Sequence, residues 1–198
     1  MSHDLLSMLK KFNNLEFPYK LIHIYRHPVD NIFSFFKRYQ LRLSSKNNTK
    51  YNIDDPRIHQ MMIEKNERLF PYYTHKNEKK FLSFNFFEKS TFYYLESIKN
   101  SIRSYKNLKK NLKQNILLIR YDDFAEKTYL EMNKICKFLN VKKTSYTKKI
   151  LIKNNLPRKM YPNEREFKLE QIRKNVNKNL FSNVIRLTRK YDKSKFFI

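Results

Sequence analysis

The stretch that decides the fold of this 198-residue chain is Lys20-Leu-Ile-His-Ile-Tyr-Arg26-His-Pro28-Val-Asp30-Asn-Ile-Phe-Ser34. The apolar run before the arginine predicts a buried strand over residues 19–25, and the pattern from residue 30 to about residue 41 predicts a helix. Arg26 would leave the strand at its carboxyl end, which is where open α/β sheets bind ligands. With the Ser34 hydroxyl on the following helix, the Arg26 guanidinium indicates a turn that grips a phosphate.

A second strand followed directly by a helix lies later in the chain. Residues 115–120 place four apolar residues before an arginine, and residues 124–139 carry apolar side chains at helical spacing, with a turn predicted between them. Further helices are predicted over about residues 56–69, 84–102 and 164–191, and polar loops over residues 43–52 and 74–80. Two strands that each precede a helix predict a parallel α/β sheet. Because two strands are few, either further short strands are hidden or the sheet is incomplete in this chain.

The charge of the chain is extreme, since 43 Lys and Arg residues against 18 Asp and Glu residues give a formal net charge of +25. A protein this basic usually meets a polyanion, such as nucleic acid, an acidic polysaccharide, an anionic membrane or a phosphorylated ligand. The heavy use of Lys, Asn and Ile is also what A/T-rich codons produce, and this explanation has equal weight. Charge alone therefore does not assign a partner.

Several absences narrow the possible classes of protein. The chain has no glycine, so it contains no Walker-type or Rossmann-type loop, and asparagine is expected wherever the backbone needs a positive φ. Its single cysteine, Cys136, lies on a helical apolar face and is expected in the core, and no Cys/His cluster has zinc spacing. No segment has the roughly 20 apolar residues of a membrane span, and no signal-peptide pattern begins the chain. A cytoplasmic location is therefore expected, or a luminal one only if an upstream segment has been lost.

The first motif, Arg26-x-Pro28-x-Asp30-x-x-x-Ser34, resembles the nucleotide-binding signature of sulfotransferases that use 3′-phosphoadenosine 5′-phosphosulfate (PAPS). The second block, residues 115–141, is similar to the later strand of that family, its Tyr-Glu-Asp turn and the helix after it. The resemblance covers about residues 1–141 and, more loosely, the C-terminal helix. It implies one helix-rich α/β domain over residues 1–198, with a parallel sheet flanked by helices as in P-loop NTPases.

The resemblance also implies roles for individual residues. Arg26 and Ser34 would bind the 3′-phosphate of the donor, and Tyr121 would lie near its adenine. His3 lies upstream of Arg26, where the family often carries its catalytic base, and a histidine can take a proton from an acceptor hydroxyl near neutral pH. Arg173, in Arg-Lys-Asn, is faintly similar to a late Arg-Lys-Gly loop that contacts the 3′-phosphate.

Each of these residues also has a plainer explanation. Arg26 could pair with Asp30, and Ser34 could be an ordinary exposed helix residue. His3 could be an untethered N-terminal side chain, and Arg173 could belong to a solvated helix face. Spacing alone does not decide between these alternatives.

The family pattern begins with a strand and a glycine-containing loop that holds the 5′-phosphosulfate, and neither is found in this chain. The resemblance therefore implies a domain truncated at its N-terminus. A fragment of a longer protein and a truncated or decayed gene product are the favoured explanations, and a divergent protein that uses half of the site is a third. We expect the chain alone to be inactive.

Two classes of function follow. As a sulfotransferase, or part of one, the chain would transfer a sulfuryl group from PAPS as co-substrate, without a metal, to a hydroxyl or amine acceptor, for which an anionic carbohydrate would suit the basic surface. The alternative is a non-catalytic basic protein that binds nucleotide or nucleic acid through lysine runs such as Lys109-Lys110 and Lys142-Lys143. No RNA-binding module or helix-turn-helix signature occurs, so nucleic acid is the less favoured partner.

Overall fold

A computed structural model describes Leu6, Leu9 and residues 18–44, 62–65, 68–194 and 196–197; for residues 38–44, 62–65, 68–71, 75 and 162 it describes the backbone alone. The strands are β1 (Leu21–Tyr25), β2 (Met62–Lys65), β3 (Arg68–Pro71) and β4 (Ile116–Arg120). The helices are α1 (Pro28–Ser44), α2 (Glu78–Ser83), α3 (Phe86–Lys106), α4 (Lys110–Lys113), α5 (Tyr121–Glu126), α6 (Thr128–Leu139), α7 (Ser145–Lys153), α8 (Pro162–Asn175) and α9 (Lys178–Asp192), with a 3₁₀-helix over Tyr72–Asn77. None of these helices has the length and apolar character needed to cross a membrane.

The sheet that organises the domain pairs β1 with β4 in parallel, in a register that sets Tyr25 opposite Arg120. Both strands were predicted from sequence and are confirmed, as is the helix that follows β1. Because the strands are in register, the next residues, Arg26 and Tyr121, leave the same edge of the sheet side by side. The described residues therefore form a helix-rich α/β arrangement with a small parallel sheet flanked by helices.

Residues 62–65 and 68–71 form an antiparallel hairpin, so the helix predicted over about residues 56–69 is wrong there; the earlier part of that range lies outside the described residues. Lys65 stands opposite Arg68, which leaves two residues between the strands. Apolar residues in so short a stretch fit a helix and a pair of strands equally well, and periodicity does not separate the two. The loop predicted over residues 74–80 is likewise wrong, because the 3₁₀-helix and the start of α2 occupy it.

The helix predicted over residues 124–139 is in fact two helices, and the predicted turn before it is the start of the first. α5 begins directly after β4, and Lys127 interrupts the helical path with φ −112° and ψ 39°. The apolar residues at helical spacing, Tyr129, Met132, Ile135, Cys136 and Leu139, all lie in α6, and of these Met132, Ile135 and Cys136 are half-buried. Tyr129 is 44% exposed and Leu139 is 37% exposed, whereas Glu131 is buried. Cys136 is half-buried rather than in the core.

One cluster of buried side chains joins the helices to the sheet, and a second joins the helices to one another. The first covers one face of the sheet with the C-terminal aromatic residues Tyr191, Phe196 and Phe197 and also contains Leu6 and Leu9. The second packs α1 against α3, α8 and α9, and its buried members are Val29, Ile32, Phe87, Tyr94, Ile172 and Val184. The apolar residues spaced for one face of the C-terminal helical tail all lie in or against the core clusters, as expected from sequence, but they are divided between α8 and α9; they are Leu169, Ile172, Val176, Leu180, Val184 and Leu187.

In a chain without glycine, the left-handed backbone positions are taken by other residues. Two of those described are asparagines, Asn140 with φ 58° and Asn155 with φ 52°, as expected from sequence, and the third is Ser194 with φ 54°. Asn140 ends α6, and the next amide, that of Val141, donates to the Cys136 carbonyl at 2.9 Å. Asparagine thus supplies the helix-ending conformation that glycine usually provides.

One carboxylate ties together the beginnings of α3 and α9. Glu88 Oε2 accepts from the Asn85 amide at 3.1 Å, and Asn85 Oδ1 accepts from the Glu88 amide at 2.9 Å, which is a complete capping box. Glu88 Oε1 also accepts from the backbone amide and the side chain of Asn177, at 3.1 Å and 2.8 Å. Because Asn177 is itself the N-cap of α9, Glu88 fixes two helix N-termini at once.

We expect Glu88→Ala to lower the free energy of unfolding by about 1–2 kcal/mol, because it removes the reciprocal cap of α3 and the support of the α9 cap. In a chain of this size each kcal/mol corresponds to a fall in Tm of about 2–4 °C, which thermal unfolding measures. Glu88→Gln, which keeps one side-chain acceptor oxygen, is expected to lose less. Equal losses in the two variants would contradict the capping role.

Candidate functional site

The site begins where β1 and β4 end. Arg26 is exposed, and its guanidinium carbon lies 4.9 Å from the centre of the Tyr121 ring. This contact joins the first residue after β1 to the first residue after β4, so the two sequence motifs meet at one point. Arg26 has no carboxylate partner among the described residues. In particular, it does not pair with Asp30, which was the alternative explanation of the motif. A planar, always charged group in this position remains available to an anion.

A second arginine reaches the same ring from a different part of the chain. The Arg158 guanidinium donates to the Tyr121 hydroxyl, and its carbon lies 5.9 Å from the ring centre. The segment that carries Arg158 is fixed on α5, because the Arg158 amide donates to the Ala125 carbonyl at 2.8 Å and the Met160 amide donates to Glu126 at 3.2 Å. Two exposed guanidinium groups therefore converge on Tyr121 without a carboxylate between them in the described part of the chain.

The turn between β1 and α1 is set by Pro28 and His27. Pro28 is the first residue of α1, where a missing amide hydrogen costs nothing. His27 is buried, and its Nδ1 accepts from the Val29 amide at 3.3 Å. Burial lowers the pKa of His27 and the charge of Arg165 lowers it further, so the imidazole is neutral at neutral pH and its 3.7 Å contact with Asp192 is not an ion pair.

Ser34 lies on α1 one helical turn after Asp30, with a half-buried side chain. It makes no hydrogen bond to another described residue, so its hydroxyl remains free within that part of the chain. The position is compatible with the phosphate-binding role that the sequence implies, and that role stays a prediction.

The acidic residues of the two motifs are joined by α8. Arg165 donates to both oxygens of Asp122 at 2.7 Å and to Asp30 at 2.9 Å, and Lys168 donates to the other oxygen of Asp30 at 2.9 Å. Both aspartates are buried, while Arg165 is 19% exposed. One arginine thus holds together the helix that follows β1 and the helix that follows β4.

The titration of this network follows from its partners. Burial favours a neutral Asp30, but the hydrogen bonds and charges of Lys168 and Arg165 outweigh it, so the pKa of Asp30 is lowered. Burial also opposes a charged Arg165, yet Asp122 and Asp30 raise the pKa of Arg165. Asp30 is therefore ionised at neutral pH, and Lys168 and Arg165 compensate its charge. Arg26 and Arg158, by contrast, have no ion pair with another described residue.

Besides Ser34, two of the predicted site residues are not part of the cluster formed by Arg26, Arg158 and Tyr121. His3 lies outside the described residues. Arg173 lies in the last turn of α8, where its guanidinium makes two hydrogen bonds to Glu170, at 2.7 Å and 2.8 Å. Among the described contacts, none joins Arg173 to Arg26 or Tyr121. Its role in binding the donor stays a prediction.

Arg158 and Arg165 are the two residues that sequence reasoning missed. For Arg158 a signal existed, because Arg158-Lys159 is the same dipeptide as Arg173-Lys174, but only the fold shows which pair lies beside Tyr121. For Arg165 no local signal exists, since its partner Asp30 is 135 residues away in the chain. Among the described residues no group of His, Cys, Asp and Glu is arranged to hold a metal ion.

A comparison with protein families agrees with this geometry. The family model for the sulfotransferase domain matches residues 2–184, which is most of the chain. Comparisons with curated proteins and with solved structures gave no significant match. The chain therefore belongs to the sulfotransferase domain family.

Proposed function

We propose that this protein is all or part of a sulfotransferase that transfers a sulfuryl group from PAPS to a hydroxyl or amine acceptor, and that the Arg26–Arg158–Tyr121 cluster is its nucleotide site. The observation that supports this most strongly is the convergence of two uncompensated guanidinium groups on Tyr121, at the carboxyl edge of the parallel sheet. Guanidinium groups match the geometry of phosphate oxygens and bind them through paired hydrogen bonds. An aromatic ring in the same place suits a nucleotide, which carries an adenine beside its phosphates.

The proposed roles follow from the positions of the side chains. Arg26 and Arg158 would bind the 3′-phosphate, the Ser34 hydroxyl would donate to it, and Tyr121 would lie near the adenine. The aspartates do not compete for these arginines, because Arg165 and Lys168 already neutralise them. Arg173 is the other candidate for a 3′-phosphate contact, and a direct comparison with Arg158 decides between them.

In the reaction, the bond between sulfur and the bridging phosphate oxygen of PAPS breaks while sulfur forms a bond to the acceptor oxygen or nitrogen. The acceptor proton passes to a base, for which His3 is the proposed residue. The 3′-phosphate takes no part in bond breaking, so its contacts contribute by holding the reacting end in position. An anionic carbohydrate is the acceptor class that the net positive charge favours. The cytoplasmic location inferred from the sequence stays a prediction.

The test is calorimetric titration with adenosine 3′,5′-bisphosphate, adenosine 5′-monophosphate and pyrophosphate at moderate salt. We expect the bisphosphate to bind at least about 100-fold more tightly than the monophosphate, because it adds the contacts of both Arg26 and Arg158, each contributing about 1.5–3 kcal/mol. Pyrophosphate supplies charge without adenosine and is expected to bind weakly. A folded chain that binds all three ligands alike would contradict the proposal and favour a non-specific basic surface.

A further inference from the structure

A groove of about 560 Å³ lies between α3 and α9, and its lining shares no residue with the Arg26–Arg158–Tyr121 cluster. Its floor is apolar and is formed by Phe92, Leu95, Ile98, Ile102, Leu180 and Leu187. Phe92 and Leu180 are buried, and the other four pack on the core clusters, so the floor is held in shape by the interior of the domain. A preformed concave surface of this volume lies in the range of small-molecule sites.

The sides of the groove are strongly basic. Six cationic side chains line it, namely Lys80, Lys99, Arg103, Lys106, Arg186 and Lys190. Those on α3 recur at positions i, i+4 and i+7, and those on α9 at i and i+4, so each helix presents a row of positive charge along its edge of the groove.

These positive charges are poorly compensated. Glu96 is the one acidic side chain among the lining residues, and it lies 3.6 Å from Lys99. Arg103 and Arg186 each donate to a neutral asparagine, Asn100 and Asn183. In the described part of the chain no ion pair engages Arg103, Lys106, Arg186 or Lys190.

We infer that this groove binds a small amphipathic anion, with an aliphatic or aromatic body and a sulfate, phosphate or carboxylate head. The apolar floor would bury the body, at about 25 cal/mol for each Å² removed from water, and the cationic rows would bind the head. One end already has a cation above an aromatic ring, because Lys80 Nζ lies 5.7 Å from the centre of the Phe92 ring. A depression between two helices receives a free molecule, whereas a bilayer surface would need a convex or flat apolar face.

The probe is decyl sulfate below its micellar concentration, titrated into the full chain by calorimetry, with decanol as a neutral ligand of equal chain length. The rim variant combines Arg103→Ala, Lys106→Ala and Lys190→Ala, all at exposed positions. The control variant combines Lys142→Ala, Lys143→Ala and Lys148→Ala, which removes the same charge from exposed positions outside the groove. Circular dichroism and urea unfolding establish that both variants are folded, and single Lys106→Ala and Lys190→Ala variants replace the triple variant if it is not.

We expect one decyl sulfate to bind per chain and decanol to bind more weakly. The rim variant should raise the Kd for decyl sulfate about 10-fold or more, and the control variant should change it less than about 3-fold. The bisphosphate nucleotide should not displace decyl sulfate, and Arg26→Ala should leave decyl sulfate binding unchanged.

Several results would overturn this assignment. Equal losses in the rim and control variants would mean that net charge alone attracts the probe, and many bound molecules without saturation would mean general detergent association. Displacement by the nucleotide would assign the groove to the nucleotide site instead. Binding to phosphatidylglycerol vesicles without any binding of free decyl sulfate would replace the small-molecule site by a membrane surface.

Discussion

Replacing Arg165 with alanine is expected to lower the free energy of unfolding by about 3–5 kcal/mol, which is the largest single effect we anticipate in this chain. The substitution removes the shared partner of Asp30 and Asp122 and leaves two buried carboxylates, of which only Asp30 keeps a cation among the described residues, Lys168. An uncompensated buried charge costs far more than a lost surface contact. The helices that follow β1 and β4 would also lose their shared anchor on α8.

Urea unfolding measures this loss, and the chain offers a matched control on the same helix. Arg173 also makes two hydrogen bonds to one carboxylate, but both groups lie on the surface, so Arg173→Ala is expected to change the unfolding midpoint little. Arg165→Lys keeps a charge but cannot bind two carboxylates in the same way, and should fall between the wild type and Arg165→Ala. An Arg165→Ala variant with the same urea unfolding midpoint as the wild type would show that the network does not stabilise the fold.

The pH dependence of stability provides a second check on the same network. The pKa of Asp30 is lowered in the folded state from its ordinary value of 3.8, so its stabilising effect is complete above that value and is lost as the pH falls through the lower folded-state pKa. The difference in unfolding free energy between the wild type and Asp30→Asn should therefore stay constant from neutral pH to about pH 4 and shrink below it. A difference that changed instead near neutral pH would contradict this assignment.

Arg26→Ala is expected to weaken binding of adenosine 3′,5′-bisphosphate about 10- to 100-fold, because it removes a charge-assisted contact to the 3′-phosphate worth about 1.5–3 kcal/mol. Arg26 is exposed and has no ion pair among the described residues, so the free energy of unfolding should hardly change. Arg189→Ala removes the same charge from an exposed position on α9 and serves as the control. If Arg189→Ala weakens binding as much as Arg26→Ala, the effect is one of net charge.

The same titration decides between Arg158 and Arg173 as a second contact to the 3′-phosphate. The contacts of Arg158 with Tyr121 predict that Arg158→Ala weakens nucleotide binding to a similar extent as Arg26→Ala. The hydrogen bonds between Arg173 and Glu170 predict that Arg173→Ala leaves it nearly unchanged. If Arg173→Ala weakens binding and Arg158→Ala does not, the 3′-phosphate contact belongs to Arg173, as the sequence resemblance first implied.

Features of the fold that depend on local sequence were predictable, and features that depend on distant contacts were not. β1 and β4 are short aliphatic runs bounded by polar residues, and α1 and α3 carry regular apolar faces, so each was predicted near its observed bounds. The β2–β3 hairpin was missed because a short stretch with few apolar residues fits both the helical and the strand periodicity. The break at Lys127 was missed because no proline or glycine marks it.

The residues of the candidate site also differ in whether the local sequence could predict them. Arg26 and Tyr121 directly follow strand ends, so sequence alone could bring them to one edge of a parallel sheet, and Ser34 lies on the helix that follows the first strand. Arg158 comes from a segment that folds back on α5, and Arg165 pairs with an aspartate 135 residues earlier. Such partners are fixed by packing between helices, for which the sequence carries no local pattern.

Binding of the nucleotide 3′-phosphate by Arg26 is central to the proposed function. A cycle of four titrations tests it most directly. The ligands are adenosine 3′,5′-bisphosphate and adenosine 5′-monophosphate, and the proteins are the wild type and Arg26→Ala. We predict that the substitution weakens binding of the bisphosphate and spares the monophosphate, with a coupling free energy of about 1.5–3 kcal/mol. Equal losses for the two ligands, or no loss for either, would contradict the claim.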